Sequence, residues 1–125
     1  MIKPYLQPAR RYQNHHLDST RWEPYIPRDD DIVISNAYKS GSTWTLAIVR
    51  ELIAHAMRQA GISDPDLLPD VYYEACPWPD LRIRGSVYDL YAKIEAQQHR
   101  RFFKTHLSVD GLSFYAQVKY LILDI

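Results

Sequence analysis

Cys76 is the only thiol in this chain of 125 residues. One thiol closes no internal disulfide, so the fold does not depend on an oxidising compartment. With no second cysteine near it, Cys76 has no support as a metal ligand or nucleophile, and it reads as a half-buried free thiol. An excess of charge is also missing: 15 Lys and Arg stand against 15 Asp and Glu. A nucleic-acid binder needs a basic excess, so nucleic acid is not an expected partner. The balance still leaves room for a local basic cluster at a small anion site. No apolar run approaches membrane-spanning length, and Met1-Ile2-Lys3-Pro4-Tyr5 lacks the apolar stretch of a signal peptide. The expectation is a cytoplasmic protein with no membrane partner. Metal-ligand clusters are missing too. His15 and His16 are adjacent and cannot face one metal in the i, i+4 manner of a helical pair, so no metal is expected. Internal repeats and low-complexity tracts are absent.

What is present is enough apolar material for a core, at 46% of residues. Residues 1–30 show no period and read as an irregular arm packed on a domain surface, with a turn near Asp18–Thr20. The polar run Arg28-Asp29-Asp30-Asp31 stops at Ile32-Val33-Ile34, a β-branched run that predicts a short buried strand. Small, polar and glycine residues follow from Ser35 to Ser42, as in a loop. From Thr43 the period changes. Leu46, Val49, Ile53, Met57 and Ala60 recur at helical spacing, Arg50, Glu51, His55, Arg58 and Gln59 supply a polar side, and Gly61 is a natural stop. Residues 62–85 form a connection punctuated by Pro65, Pro69, Pro77 and Pro79. Ser86 is placed to cap a second helix, with Asp89 three residues on and Val87, Leu90, Tyr91 and Ile94 as its stripe. Arg101-Phe102-Phe103-Lys104 predicts a second strand. Residues 107–117 are a loop or short helix, and Val118 to Ile125 gives a third strand. Strands alternating with helices predict a parallel α/β sheet. Arg100 and Arg101 read as solvated charges, and the ten tyrosines as packing residues with polar tips.

Tyr38-Lys39-Ser40-Gly41-Ser42-Thr43-Trp44 therefore lies between a strand and a helix. Unpaired backbone N–H groups and the positive end of the helix dipole make such a place an anion site. Gly41 lets backbone approach a phosphate, Ser42 and Thr43 add hydroxyl donors, and Lys39 adds a mobile positive charge. This is not the Walker A pattern, because here the lysine precedes the glycine. A plain strand-to-helix turn remains the alternative for the loop taken alone.

Lys39-Ser40-Gly41-Ser42-Thr43-Trp44 resembles the PKSGTTW loop of the sulfotransferases. Arg101-Phe102-Phe103-Lys104-Thr105-His106-Leu107 is similar to that family's RFIKTHLP segment, and Leu112 to Tyr120 to its LLPFYPQVKYIYV. Tyr38 and Ser108 stand where the family has proline. The resemblance implies a P-loop-like, three-layer α/β/α fold with a parallel sheet. It implies an enzyme that uses 3′-phosphoadenosine 5′-phosphosulfate (PAPS) as co-substrate, with a small-molecule acceptor such as an aryl or alkyl alcohol, or an amine. In that reading His106 is the catalytic base, and Lys39 and Lys104 stabilise charge on the leaving phosphate and the sulfuryl group. Lys39, Ser40, Gly41, Ser42, Thr43 and Trp44 hold the donor, and Trp78 with His106 meets the acceptor. For Cys76-Pro77-Trp78-Pro79, a tryptophan packing a proline-rich loop on the core is an equal alternative.

The family's 3′-phosphate site starts with an arginine that would fall near Ile125. The resemblance thus implies an arm at 1–30, the N-terminal half of the domain at 31–125, and a fold truncated after its third strand. A truncated chain is expected to turn over weakly or not at all, and its uncovered sheet edge would favour a homo-oligomer. Two competitors stand beside this reading. One is a non-catalytic remnant that keeps only a phosphate-binding loop. The other is a P-loop phosphotransferase, which the missing Walker lysine weighs against.

Overall fold

The computed structural model describes residues 3–36, 42–62, 75–82 and 85–123, with residues 42 and 43 as backbone only. The β-branched run becomes strand β1, Ile32–Asn36. Strand β2 is Phe102–Thr105 and strand β3 is Lys119–Leu123. The three pair in parallel in the order β2-β1-β3, with Val33 opposite Phe103 on one side and Tyr120 on the other. A central parallel strand is covered on both faces and needs apolar residues on both. Val33 and Ile34 meet that need, at 2% and 0% exposure.

Two helices supply the cover. Helix α1 is Ser42–Gln59 and helix α2 is Val87–Ala96. Adjacent strand residues point to opposite faces. Ile34 and Phe102 pack against Leu46, Val49 and Ile53 of α1. Val33 and Phe103 pack against Tyr91 and Ile94 of α2. The sheet is thus the middle of three layers, as expected. Ala60, assigned to the apolar stripe, is exposed beyond the end of α1. There Gly61 takes φ 79°. Its N–H donates to Arg58 O at 3.1 Å and that of Ile62 to Met57 O at 2.8 Å. This pair of bonds satisfies carbonyls left over at the helix end. At the start of α2 the Ser86 hydroxyl accepts from the Tyr88 N–H, and Asp89 sits in the first turn.

The strict alternation of strand and helix does not hold. Among the described residues α1 and α2 both lie between β1 and β2, and the β2–β3 connection carries only the 3-10 turn Val109–Gly111. The chain changes faces on the way. Ala75 and Cys76 still belong to the α1 side of the core, whereas Leu81 bridges to Leu17 of the arm.

The arm does more than lie on a surface. Asp18 caps the 3-10 turn Ser19–Trp22, Leu17 packs with Leu107, Leu112 and Phe114, and Tyr25 enters the α2 side of the core. Two expectations need correction. Cys76 is fully buried at 3% exposure, and burial pushes its thiol pKa up, away from nucleophile chemistry. Arg101 is no solvated charge: it is 1% exposed and paired with Asp31. Arg100 is exposed, and its side chain donates to Asp30 O.

Candidate functional site

In a parallel sheet, side chains at the carboxyl ends of the strands converge on one edge, the usual ligand-binding edge of such folds. Here β1 ends at Asn36 and β2 at Thr105, with Ser35 opposite Thr105 in the ladder. His106 is the next residue, so register alone sets it beside the end of β1. Its ring Nδ1 lies 2.7 Å from Asn36 O. A carbonyl oxygen only accepts, so this bond puts the proton on Nδ1, and the neutral ring carries its lone pair on Nε2.

The turn that holds His106 is made by its neighbours. The Thr105 hydroxyl accepts the Leu107 N–H at 3.0 Å, and the Ser35 hydroxyl donates to Leu107 O at 3.2 Å. The backbone N–H of His106 donates to Asp80 Oδ2 at 3.2 Å. Burial lowers the imidazole pKa from its usual value; the Asn36 bond opposes this, the positive charge of Lys104 adds to it, and Asp80 opposes it weakly. The ring is thus biased toward the neutral form, the form that accepts a proton.

Lys104, His106 and Trp78 come together. The indole of Trp78 meets the imidazole edge to face, with centroids 4.8 Å apart at 82°. Lys104 Nζ stands 4.4 Å from the centroid of the same indole, a cation–π contact. The Lys104 backbone N–H donates to Pro77 O at 2.8 Å, which lays the 77–80 segment along the end of β2. Both readings of Trp78 find a basis here: it is half-buried, and it lies against the candidate base.

The segment expected to form an anion loop lies largely outside the described residues. Tyr38, Lys39, Ser40 and Gly41 lie outside the described residues, as do the side chains of Ser42 and Thr43. Helix α1 opens at Ser42, six residues after Asn36, the residue whose carbonyl holds His106. Trp44, in the first turn, is 78% exposed. Among the described residues no group of three or more His, Cys, Asp or Glu is placed to hold a metal ion.

Sequence reading missed Asp80, which is fully buried and joins His106 to Trp78 and Trp22. The available signal was an acid inside the apolar, proline-rich stretch Pro77-Trp78-Pro79-Asp80-Leu81, where an unpaired carboxylate would be costly.

The profile of a family described as the sulfotransferase domain matches residues 29–123. A glycolipid sulfotransferase of Mycobacterium tuberculosis is 39% identical over 110 residues, which is 88% of this chain and 31% of that protein. Cytosolic sulfotransferase 9 of Arabidopsis thaliana is 31% identical over 93 residues, 70% of this chain and 26% of the plant protein. The chain spans about a third or less of the length of these relatives. From the three-layer parallel fold and the extent of these matches, the chain belongs to the sulfotransferase domain family.

Proposed function

We propose that this chain carries the base and the phosphosulfate-binding loop of an enzyme that moves a sulfuryl group from PAPS to a hydroxyl, or an amine, of a small acceptor. The observation that carries the reading is the 2.7 Å contact between His106 Nδ1 and Asn36 O. It ties the candidate base to the strand that leads into residues 37–41.

The residues present fit an anionic donor. Helix α1 runs for 18 residues from Ser42, directly after that loop in sequence, and the start of a helix is where backbone N–H groups and the positive end of the dipole favour phosphate oxygens. The exposed indole of Trp44 is open to flank a nucleotide. The donor supplies an activated S–O bond, with 3′-phosphoadenosine 5′-phosphate (PAP) as the leaving group. His106 Nε2 takes the proton of the acceptor as the acceptor's oxygen bonds to sulfur. The roles given to the lysines are electrostatic: Lys39 offsets the charge that grows on the departing phosphate oxygen, and Lys104 that on the sulfuryl oxygens. The edge of Trp78 beside His106 gives an acceptor an aromatic wall, which suits an aryl or alkyl alcohol. The name of the mycobacterial relatives adds a glycolipid hydroxyl to the candidate acceptors. A cytoplasmic location is proposed from the cytosolic plant relatives.

The test is His106→Ala in the intact protein. A general base contributes roughly 10²–10⁴-fold, so sulfation should fall by about that factor. Binding of PAP, read as a thermal shift that ATP does not reproduce, should persist. Sulfation at the unmutated rate would remove His106 from the chemistry, and a stronger response to ATP would point to a phosphotransferase.

A further inference from the structure

Asp80 has no part in the steps above, yet its side chain lies under the residues that perform them. It is 0% exposed. Its carboxylate collects three N–H donors from three parts of the chain. Trp78 Nε1 donates to Oδ2 at 2.8 Å, the His106 backbone N–H to the same oxygen at 3.2 Å, and Trp22 Nε1 to Oδ1 at 3.0 Å. The Asp80 carbonyl in turn accepts the Asp18 N–H at 2.8 Å. A carboxylate buried this deeply is tolerable only when its lone pairs are filled, and bonds to an ionised acceptor are stronger than neutral ones.

One of those bonds fixes the rotation of the Trp78 ring. The ring is held at its Nε1–H by Asp80, which leaves it one orientation rather than several. In that orientation it meets His106 edge to face at 4.8 Å and takes Lys104 Nζ at 4.4 Å from its centroid. The same Asp80 oxygen that holds the indole also holds the backbone of His106. Base and tryptophan are thus referenced to a single atom.

We propose that Asp80 is a positioning residue for sulfuryl transfer: its buried carboxylate locks Trp78 and the His106 backbone together, and Trp78 in turn sets the separation of His106 from Lys104. The inference rests on the reading of His106 as the base. The chain of contact runs from Asp80 through Trp78 to His106, and Trp22 extends it to the N-terminal arm.

The test uses Asp80→Asn in the intact protein. An amide keeps the shape and loses one acceptor. Its oxygen can stay with Trp78 and His106 only if its NH2 is turned on the Trp22 N–H, so the three-way joint cannot be kept whole. Trp78→Phe reads the same link from the other end if Asp80→Asn fails to fold, because it keeps an aromatic ring without the N–H. Two quantities are measured: the NMR signal of the His106 ring protons, which the Trp78 ring current displaces, and kcat alongside the Kd for PAP. For either variant the expected result is a His106 signal moved toward that of an exposed histidine. With it, kcat should be lower by about tenfold or more, as small misplacements of reacting groups produce, and the Kd for PAP should stay within about threefold. An unmoved His106 signal overturns the proposal whatever happens to kcat, since Asp80 then does not act through Trp78. A moved signal with undiminished kcat also overturns it, since the link then does nothing for sulfuryl transfer; whether His106 is the base is read separately, from His106→Ala.

Discussion

Arg101 and Asp31 show what single residues carry in this fold. Asp31 Oδ2 accepts from Arg101 Nη2 at 2.6 Å, the Tyr25 hydroxyl at 2.7 Å and the Arg28 N–H at 3.0 Å. Oδ1 accepts from Arg101 Nε at 3.0 Å. Both side chains of the ion pair are 1% exposed. The Arg101 guanidinium also stands 5.3 Å from the Phe103 ring centroid. The same Nη2 also donates to Ile26 O at 2.9 Å, so the pair ties the arm to the start of β2. Attraction in such a pair is largely offset by the cost of drying both ions, but removing one partner leaves the other buried and uncompensated. Asp31→Ala should therefore lower the unfolding free energy by about 3–5 kcal/mol, and Asp31→Leu with Arg101→Leu should cost less than either single change. Urea denaturation of Asp31→Leu, Arg101→Leu and the double variant checks this; a double loss equal to the sum of the two single losses would mean the pair is not coupled. From the sequence, Asp31 looked like the last residue of a polar run and Arg101 like a solvated charge. A partner 70 positions away leaves no local mark, and only the fold brings the two together.

At the scale of elements much more was legible. β-branched and aromatic runs announced all three strands, and helical spacing announced both helices, because burial of one face leaves a period in the sequence. Gly61 was legible as a stop for the same kind of reason: the αL residue that ends a helix favours the side chain that costs least there. That stop is testable. A Cβ built at Gly61 meets nothing within 4 Å, so Gly61→Ala is opposed by backbone conformation at φ 79° and not by crowding. The expected loss is about 1–2 kcal/mol in the urea unfolding free energy, with no change in the sheet. A neutral result would mean the Met57 and Arg58 carbonyls are capped in some other way. The 3-10 turns and the packed arm were less legible, since their bonds are irregular and carry no period. Asp18, which accepts the Thr20 N–H at 3.0 Å, was visible only as a turn residue.

Across the whole molecule, the candidate site was legible as two sequence neighbourhoods, but their assembly was not. The order β2-β1-β3 makes β1 central and sets Asn36 against His106, and neither strand's sequence states that pairing. The same assembly buries one imidazole and half-buries another, and so couples the fold to pH. His99 is 5% exposed, and its Nδ1 lies 2.8 Å from Arg100 O. Its Nε2 is buried without a hydrogen-bond partner among the described residues. Burial is the main cause that lowers the proton affinity of His99, with Arg101, Arg28 and Arg50 adding repulsion; burial likewise lowers that of His106, with Lys104 adding to it. A histidine of depressed pKa is neutral in the folded state where the unfolded chain already takes a proton. Between the unfolded value of 6.5 and the lower folded values, unfolding therefore takes up protons. The stabilisation is fully present above 6.5, and it is lost as pH falls through that window. The urea midpoint should drop between about pH 7.5 and pH 5.5, in the range where an ordinary histidine gains its proton. The double variant His99→Gln, His106→Gln should drop distinctly less over the same interval. If the double variant fell as far as the unmutated chain, the acid sensitivity would have to come from other groups, and the two rings would not be the ones that burial holds neutral.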